Sequence, residues 1–116
     1  MQISDDKDKY LNYYMESIHF LGDLQISAIK TMVQYKGQGG EYISCSFDPN
    51  DEDYKDGYVT LYFWKPAVEQ DTMVFVDNRT FYKYLAEAGE KHIEKEPQVK
   101  EELESYLQQL KTELKV

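Results

Sequence analysis

A chain of 116 residues that is 41% hydrophobic and 15% aromatic has enough apolar side chain for one ordinary domain, and too much to be a disordered segment. With 13 Lys and Arg against 22 Asp and Glu, its formal net charge is −9, which argues against direct binding of a nucleic-acid backbone because that requires clustered cations. The single cysteine rules out an internal disulfide and a paired-cysteine metal site, and no stretch approaches the roughly eighteen apolar residues of a membrane-spanning helix.

Residues 1–8, rich in Asp and Lys, read as a flexible end. Met1-Gln2-Ile3-Ser4-Asp5-Asp6 lacks the basic-then-apolar order of a signal peptide, so a cytoplasmic location is expected. Tyr10, Leu11, Tyr14, Met15, Ile18 and Leu21 recur at helical spacing and stop at Gly22-Asp23, read as a C-terminal glycine followed by an N-cap. Leu24, Ala28, Ile29, Met32 and Val33 resume the period, which predicts a second helix over about residues 23–36, ended by Gly37-Gln38-Gly39-Gly40. Residues 42–47, 58–64 and 73–76 are β-branched and aromatic between Asp, Pro, Asn and Gly, and predict three strands. Cys45, in the first of them, is expected to be a small core side chain. On the middle strand Val59, Leu61 and Phe63 form the expected inward set, with Tyr58, Thr60, Tyr62 and Trp64 facing out.

Asp77 or Asn78 is placed to cap a third helix whose buried stripe is Phe81, Tyr84 or Leu85, Ala88, and His92 or Ile93. Glu96-Pro97 ends it, because the residue before proline avoids the helical region, and the proline suits the start of a fourth helix marked by Val99, Leu103, Tyr106, Leu107, Leu110 and Leu114. The expected fold class is α+β: a single domain in which a small three-stranded antiparallel sheet packs against about four helices.

Charge is distributed unevenly along this frame. Between residues 41 and 71 lie Glu41, Asp48, Asp51, Glu52, Asp53, Asp56, Glu69 and Asp71 against Lys55 and Lys65, so eight acids less two lysines give −6 of the total −9. Asp48, Asp51, Glu52, Asp53 and Asp56 crowd one inter-strand connection beside Tyr54, Tyr58, Tyr62 and Trp64. Such a connection is long for a hairpin, where about two to five residues is usual. Acids beside outward-facing aromatics suit the gripping of a basic protein; a solvated loop or a loose calcium site would use the same residues. An EF-hand fails in both registers, since its sixth and twelfth positions would be Asp53 and Val59 counted from Asp48, or Asp56 and Tyr62 counted from Asp51, rather than Gly and Glu.

No catalytic motif stands out. His19 and His92 fall on different predicted helices without a partner at metal-ligand spacing, no serine sits in a Gly-x-Ser-x-Gly elbow, and the 37–40 glycine run lacks the Lys-Ser/Thr of a phosphate loop. No catalytic residue, metal or cofactor is expected.

The order of Ile43-Ser44-Cys45-Ser46-Phe47, the acidic stretch from Asp48 to Tyr54, Gly57-Tyr58-Val59-Thr60-Leu61-Tyr62-Phe63, Val74-Phe75-Val76-Asp77-Asn78-Arg79-Thr80-Phe81-Tyr82-Lys83-Tyr84-Leu85, and His92-Ile93-Glu94-Lys95-Glu96-Pro97 resembles immunity proteins of bacterial contact-dependent growth inhibition and related polymorphic toxin systems, the ribonuclease-toxin immunity proteins. The resemblance covers roughly residues 20–115. It implies a cytoplasmic, non-enzymatic antidote that binds the nuclease domain of one cognate toxin. The expected toxin-binding residues are then Asp48, Asp51, Glu52, Asp53, Tyr54, Asp56, Tyr58, Tyr62 and Trp64. Glu101, Glu102 and Glu104 on the last helix are the rival acidic face, and a non-catalytic acidic adaptor or dimerisation module with another basic partner is the alternative function.

Overall fold

The structure, a computed structural model, describes residues 1–116. Its sheet has five strands rather than the expected three, in the order β1 (Gln2–Ser4), β5 (Thr72–Asp77), β4 (Tyr58–Phe63), β3 (Ile43–Ser46) and β2 (Gly37–Gly39). The three central strands pair antiparallel, as their alternation predicts, and β2 adds to β3 in the same sense, whereas β1 lies parallel to β5. Both unexpected strands are edge strands of three residues, too short to show a period of two. Within the stretch read as loose, Gln2 pairs with Thr72 and its side-chain amide donates to the Thr72 hydroxyl at 3.0 Å. The glycines of β2 are there for close approach: a Cβ on Gly37 would lie 2.8 Å from the Cys45 carbonyl oxygen, and one on Gly39 would overlap Ser44.

Helix α1 (Lys7–Ser17) starts at Asp6, whose carboxylate accepts from the Lys9 N–H, and stops short of the expected glycine. Residues 19–24 instead make a small antiparallel hairpin, His19–Phe20 against Asp23–Leu24, reversing through Leu21 at φ 52° and Gly22 at φ 85°. Two successive positive φ values are the pattern of a type I′ hairpin turn, so Gly22 serves the hairpin and not a helix end. Helix α2 (Ile26–Tyr35) consequently begins later than the periodicity suggests and ends with Lys36 in the left-handed region. Helix α3 (Asn78–Lys95) is capped as expected by Asp77, which accepts from the Thr80 N–H at 3.0 Å and the Thr80 hydroxyl at 2.8 Å. Pro97–Val99 form a 3₁₀ turn before helix α4 (Lys100–Leu114).

One core holds the inner sheet face and the helices. Val59, Leu61, Phe63, Val74 and Val76 are buried against Leu11, Tyr14, Ile29, Met32, Phe81 and Leu85, and all four leucines of α4, Leu103, Leu107, Leu110 and Leu114, join them. Gly89 lets α4 approach α3, because a Cβ there would meet Leu107 at 2.8 Å. The opposite face of the sheet, which carries Ile3, Phe75, Tyr58, Tyr62 and the neighbouring Trp64, lies outside this cluster. That leaves an apolar surface for something other than the helices to cover.

Candidate protein-binding surface

The acidic connection between β3 and β4 is ordered by its own side chains. Asp48 accepts from the Asn50 N–H at 2.9 Å and Asp51 from the Asp53 N–H at 3.2 Å, the local turns that Asp favours. Backbone bonds from Asp51 to the Asp48 carbonyl and from Tyr54 to the Asp51 carbonyl tighten the same segment. The loop then folds back over the outer face of the sheet. Thr60 Oγ1 donates to the Asp53 carbonyl at 3.3 Å, and the Tyr62 hydroxyl lies 3.3 Å from Asp51 Oδ1 and 3.2 Å from Asp53 Oδ2. Thr60, expected to face out, does so and is nevertheless buried, because the loop covers it. This docking also gives the length of the connection a purpose that a hairpin turn would not have.

The sequence-selected residues therefore divide into two kinds. Tyr62 is half-buried under the loop and bonded to Asp51 and Asp53, while Trp64 is 40% exposed and stacks on Tyr62 at 6.3 Å with an interplanar angle of 3°. Tyr54 and Asp56 join through a 3.1 Å hydrogen bond at the outer rim. Tyr58 is half-buried beneath Lys55, whose ammonium lies 4.3 Å from its ring centroid and 5.3 Å from that of Phe75. Glu52 is exposed with no hydrogen bond from its side chain. The single ion pair of the molecule joins Lys95 to Asp23, so none of the five loop carboxylates has a basic partner within 4 Å. Burial, then the Asp51 and Asp53 charges, raise the Tyr62 phenol well above its ordinary pKa, so it remains a hydrogen-bond donor at any physiological pH.

A family model described as CDI immunity protein, for contact-dependent growth inhibition, matches residues 7–107. The chain belongs to that family. No curated protein and no solved structure matches it. A CDI immunity protein neutralises a toxin by binding it, so the partner of this chain is a cognate toxin protein.

Immunity proteins of this kind are generally non-catalytic. His19 lies on the hairpin rather than on a helix, and it shares a cleft of about 420 Å³ with His92, Tyr84, Lys91 and Lys95. The His19 Nδ1 is 2.6 Å from the Met15 carbonyl, which can only accept, so Nδ1 carries the proton. Nδ1 of His92 is buried without a partner. No group of three or more His, Cys, Asp or Glu side chains is arranged to hold a metal ion. A second cleft, about 880 Å³, runs between α1 and the β4–β5 connection past Tyr10, Tyr13, Lys65 and Glu69. Sequence reasoning missed Phe75 and Lys55 as members of the outer face, although Phe75 is one strand over from Thr60 in the antiparallel register.

Proposed function

We propose that this CDI immunity protein neutralises a nuclease toxin, with ribonuclease as the expected class, through the acidic loop and the aromatic face beneath it. The observation that supports the reading is the set of five loop carboxylates without a basic partner, held beside the exposed Trp64 and its stacked neighbour Tyr62. A nuclease must present a cationic groove to hold phosphates, and an acidic surface of fixed shape is its complement. Electrostatic steering of that kind raises association to about 10⁸–10⁹ M⁻¹s⁻¹ at low salt. Aromatic side chains that become desolvated supply the slow dissociation. Asp48, Asp51, Glu52, Asp53 and Asp56 would face the toxin's cations, while Tyr54, Tyr58 and Trp64 would fill its apolar clefts. Capture of the toxin in the cytoplasm, before it reaches RNA, is part of the same proposal.

The test is calorimetric titration with the purified C-terminal domain of the toxin encoded immediately upstream, at low and high salt, with RNA cleavage followed in parallel. Neutralising Asp51, Glu52 and Asp53 together as Asn, Gln and Asn should weaken binding and flatten its salt dependence. Unchanged affinity and unchanged salt dependence would place the interface elsewhere, with Glu101, Glu102 and Glu104 on α4, all exposed, as the next acidic face to neutralise.

A further inference from the structure

The hairpin at residues 19–24 carries a feature that neither the core nor the acidic loop explains. Leu21 holds a φ of 52° and is 87% exposed, and Phe20 beside it is 65% exposed. Residues with a Cβ avoid the left-handed region, and the first central position of such a turn favours Asn, Asp or Gly. The other non-glycine residues at positive φ, Lys36 and Lys115, follow helix C-termini, where this conformation is ordinary, and their ammonium groups belong in water. Leu21 combines a disfavoured backbone with an apolar side chain in solvent. It is absent from the core cluster, so packing does not account for it.

The hairpin is also held firmly. The Lys95 ammonium, at the end of α3, bonds the Gly22 carbonyl at 3.4 Å and the Asp23 carboxylate at 3.2 Å. Leu24 is buried at its base, and the Gln25 N–H closes the pair on the Ile18 carbonyl at 2.9 Å. An apolar tip on a fixed support at a cost in backbone conformation is the arrangement of a binding anchor.

We infer that Phe20 and Leu21 form an apolar plug that enters a hydrophobic pocket on the toxin protein. The inference rests on the toxin-binding role of the family and not on the siting of the interface at the acidic loop. A second copy of this chain is a poor occupant: two tips meeting would bury on the order of 500 Å², given about 150–250 Å² for an aromatic side chain, against about 1,200 Å² for a stable interface. The tip and the acidic loop lie towards opposite ends of α3: Lys95 at its C-terminal end bonds the hairpin, and at its start, in this helix of 18 residues, the Asn78 N–H bonds the Gly57 carbonyl where the loop ends.

The experiment is Leu21→Asn, which creates the Asn-Gly pair that a type I′ turn prefers, with Phe20→Ser as a second variant. Each is measured for thermal unfolding and for calorimetric binding to the purified upstream toxin domain at two salt concentrations. Leu21→Asn should unfold a few degrees higher than wild type and bind about ten- to a hundred-fold more weakly, with unaltered salt dependence. Phe20→Ser should bind more weakly as well. Affinities within about two-fold of wild type for both variants would overturn the plug, as would a lowered unfolding temperature of Leu21→Asn with unchanged affinity, which would give the leucine a role in the fold. If the loop triple variant binds like wild type while Leu21→Asn does not, the loop siting fails and the plug stands; the reverse pattern removes the plug alone. If wild type does not bind this domain, the plug falls with the toxin assignment.

Discussion

Tyr62→Phe isolates the contact that holds the acidic loop against the sheet. The hydroxyl has one proton to share between Asp51 and Asp53, at 3.3 and 3.2 Å, so the substitution deletes one charge-assisted hydrogen bond and leaves the ring in place. Such bonds contribute about 1.5–3 kcal/mol when well shielded, and the half-buried position lets water replace part of it, leaving a loss of about 1 kcal/mol. An unfolding entropy of about 2.1 cal/mol/K per residue over 116 residues gives about 0.24 kcal/mol/K, so Tm should fall by about 4 °C. Scanning calorimetry measures that shift, and hydrogen exchange of the amides at 48–57 should accelerate with it. The pH dependence has a definite sign. Because the folded state keeps the phenolic proton to higher pH than the unfolded state does, the contribution is complete below about pH 10 and is lost as pH rises beyond it. The variant should therefore lose stability less steeply in alkali. A Tm within 1 °C of wild type together with unchanged exchange in the loop would refute the argument that this hydroxyl fixes the loop.

Asp77→Ala should cost about 1 kcal/mol, the usual value of an N-cap, read as a lower denaturation midpoint. Burial pushes the Asp77 carboxyl up, but the hydrogen bonds from Thr80 prevail and lower its pKa, so the cap contributes above about pH 4 and the two proteins should converge in stability in more acid solution. Phe63→Ala should cost about 3–5 kcal/mol in urea unfolding, because its ring is wholly buried and lies 5.0 Å from that of Tyr10. Cys45 is buried, and burial pushes its thiol up to about 11 against the opposing effect of its hydrogen bond with the Tyr14 hydroxyl. The native protein should resist a disulfide reagent such as Ellman's at pH 8, reacting only as it unfolds.

The parts of the fold that read directly from the sequence are those whose signal is local. The three central strands, the Asp77 cap and the leucine stripe of α4 each follow from a period or a residue type that acts within a few positions. Ile18 and Leu21 continued the helical spacing of Tyr14 and Met15, so the hairpin was hidden inside an apparent fourth turn, and only the tertiary fold reveals that Gly22 turns a strand. The edge strands were hidden for the opposite reason: Gly37 and Gly39 carry a helix-ending signal and no strand signal, and what selects them is the nearness of Cys45 and Ser44. The clustering of acids and aromatics was plain in the sequence, whereas the return of the loop over Thr60 and Tyr62 depends on contacts between residues that no periodicity relates.

The two margins of the five-stranded sheet, β1 and β2, are each three residues long. Each therefore offers very little unpaired backbone as a template for a strand from another molecule, and Asp5 and Asp6 directly follow β1 with negative charge. An outer sheet surface rich in tyrosine, phenylalanine and tryptophan would ordinarily be a hazard in a crowded solution. Here its borders give neighbouring chains little rail along which to stack.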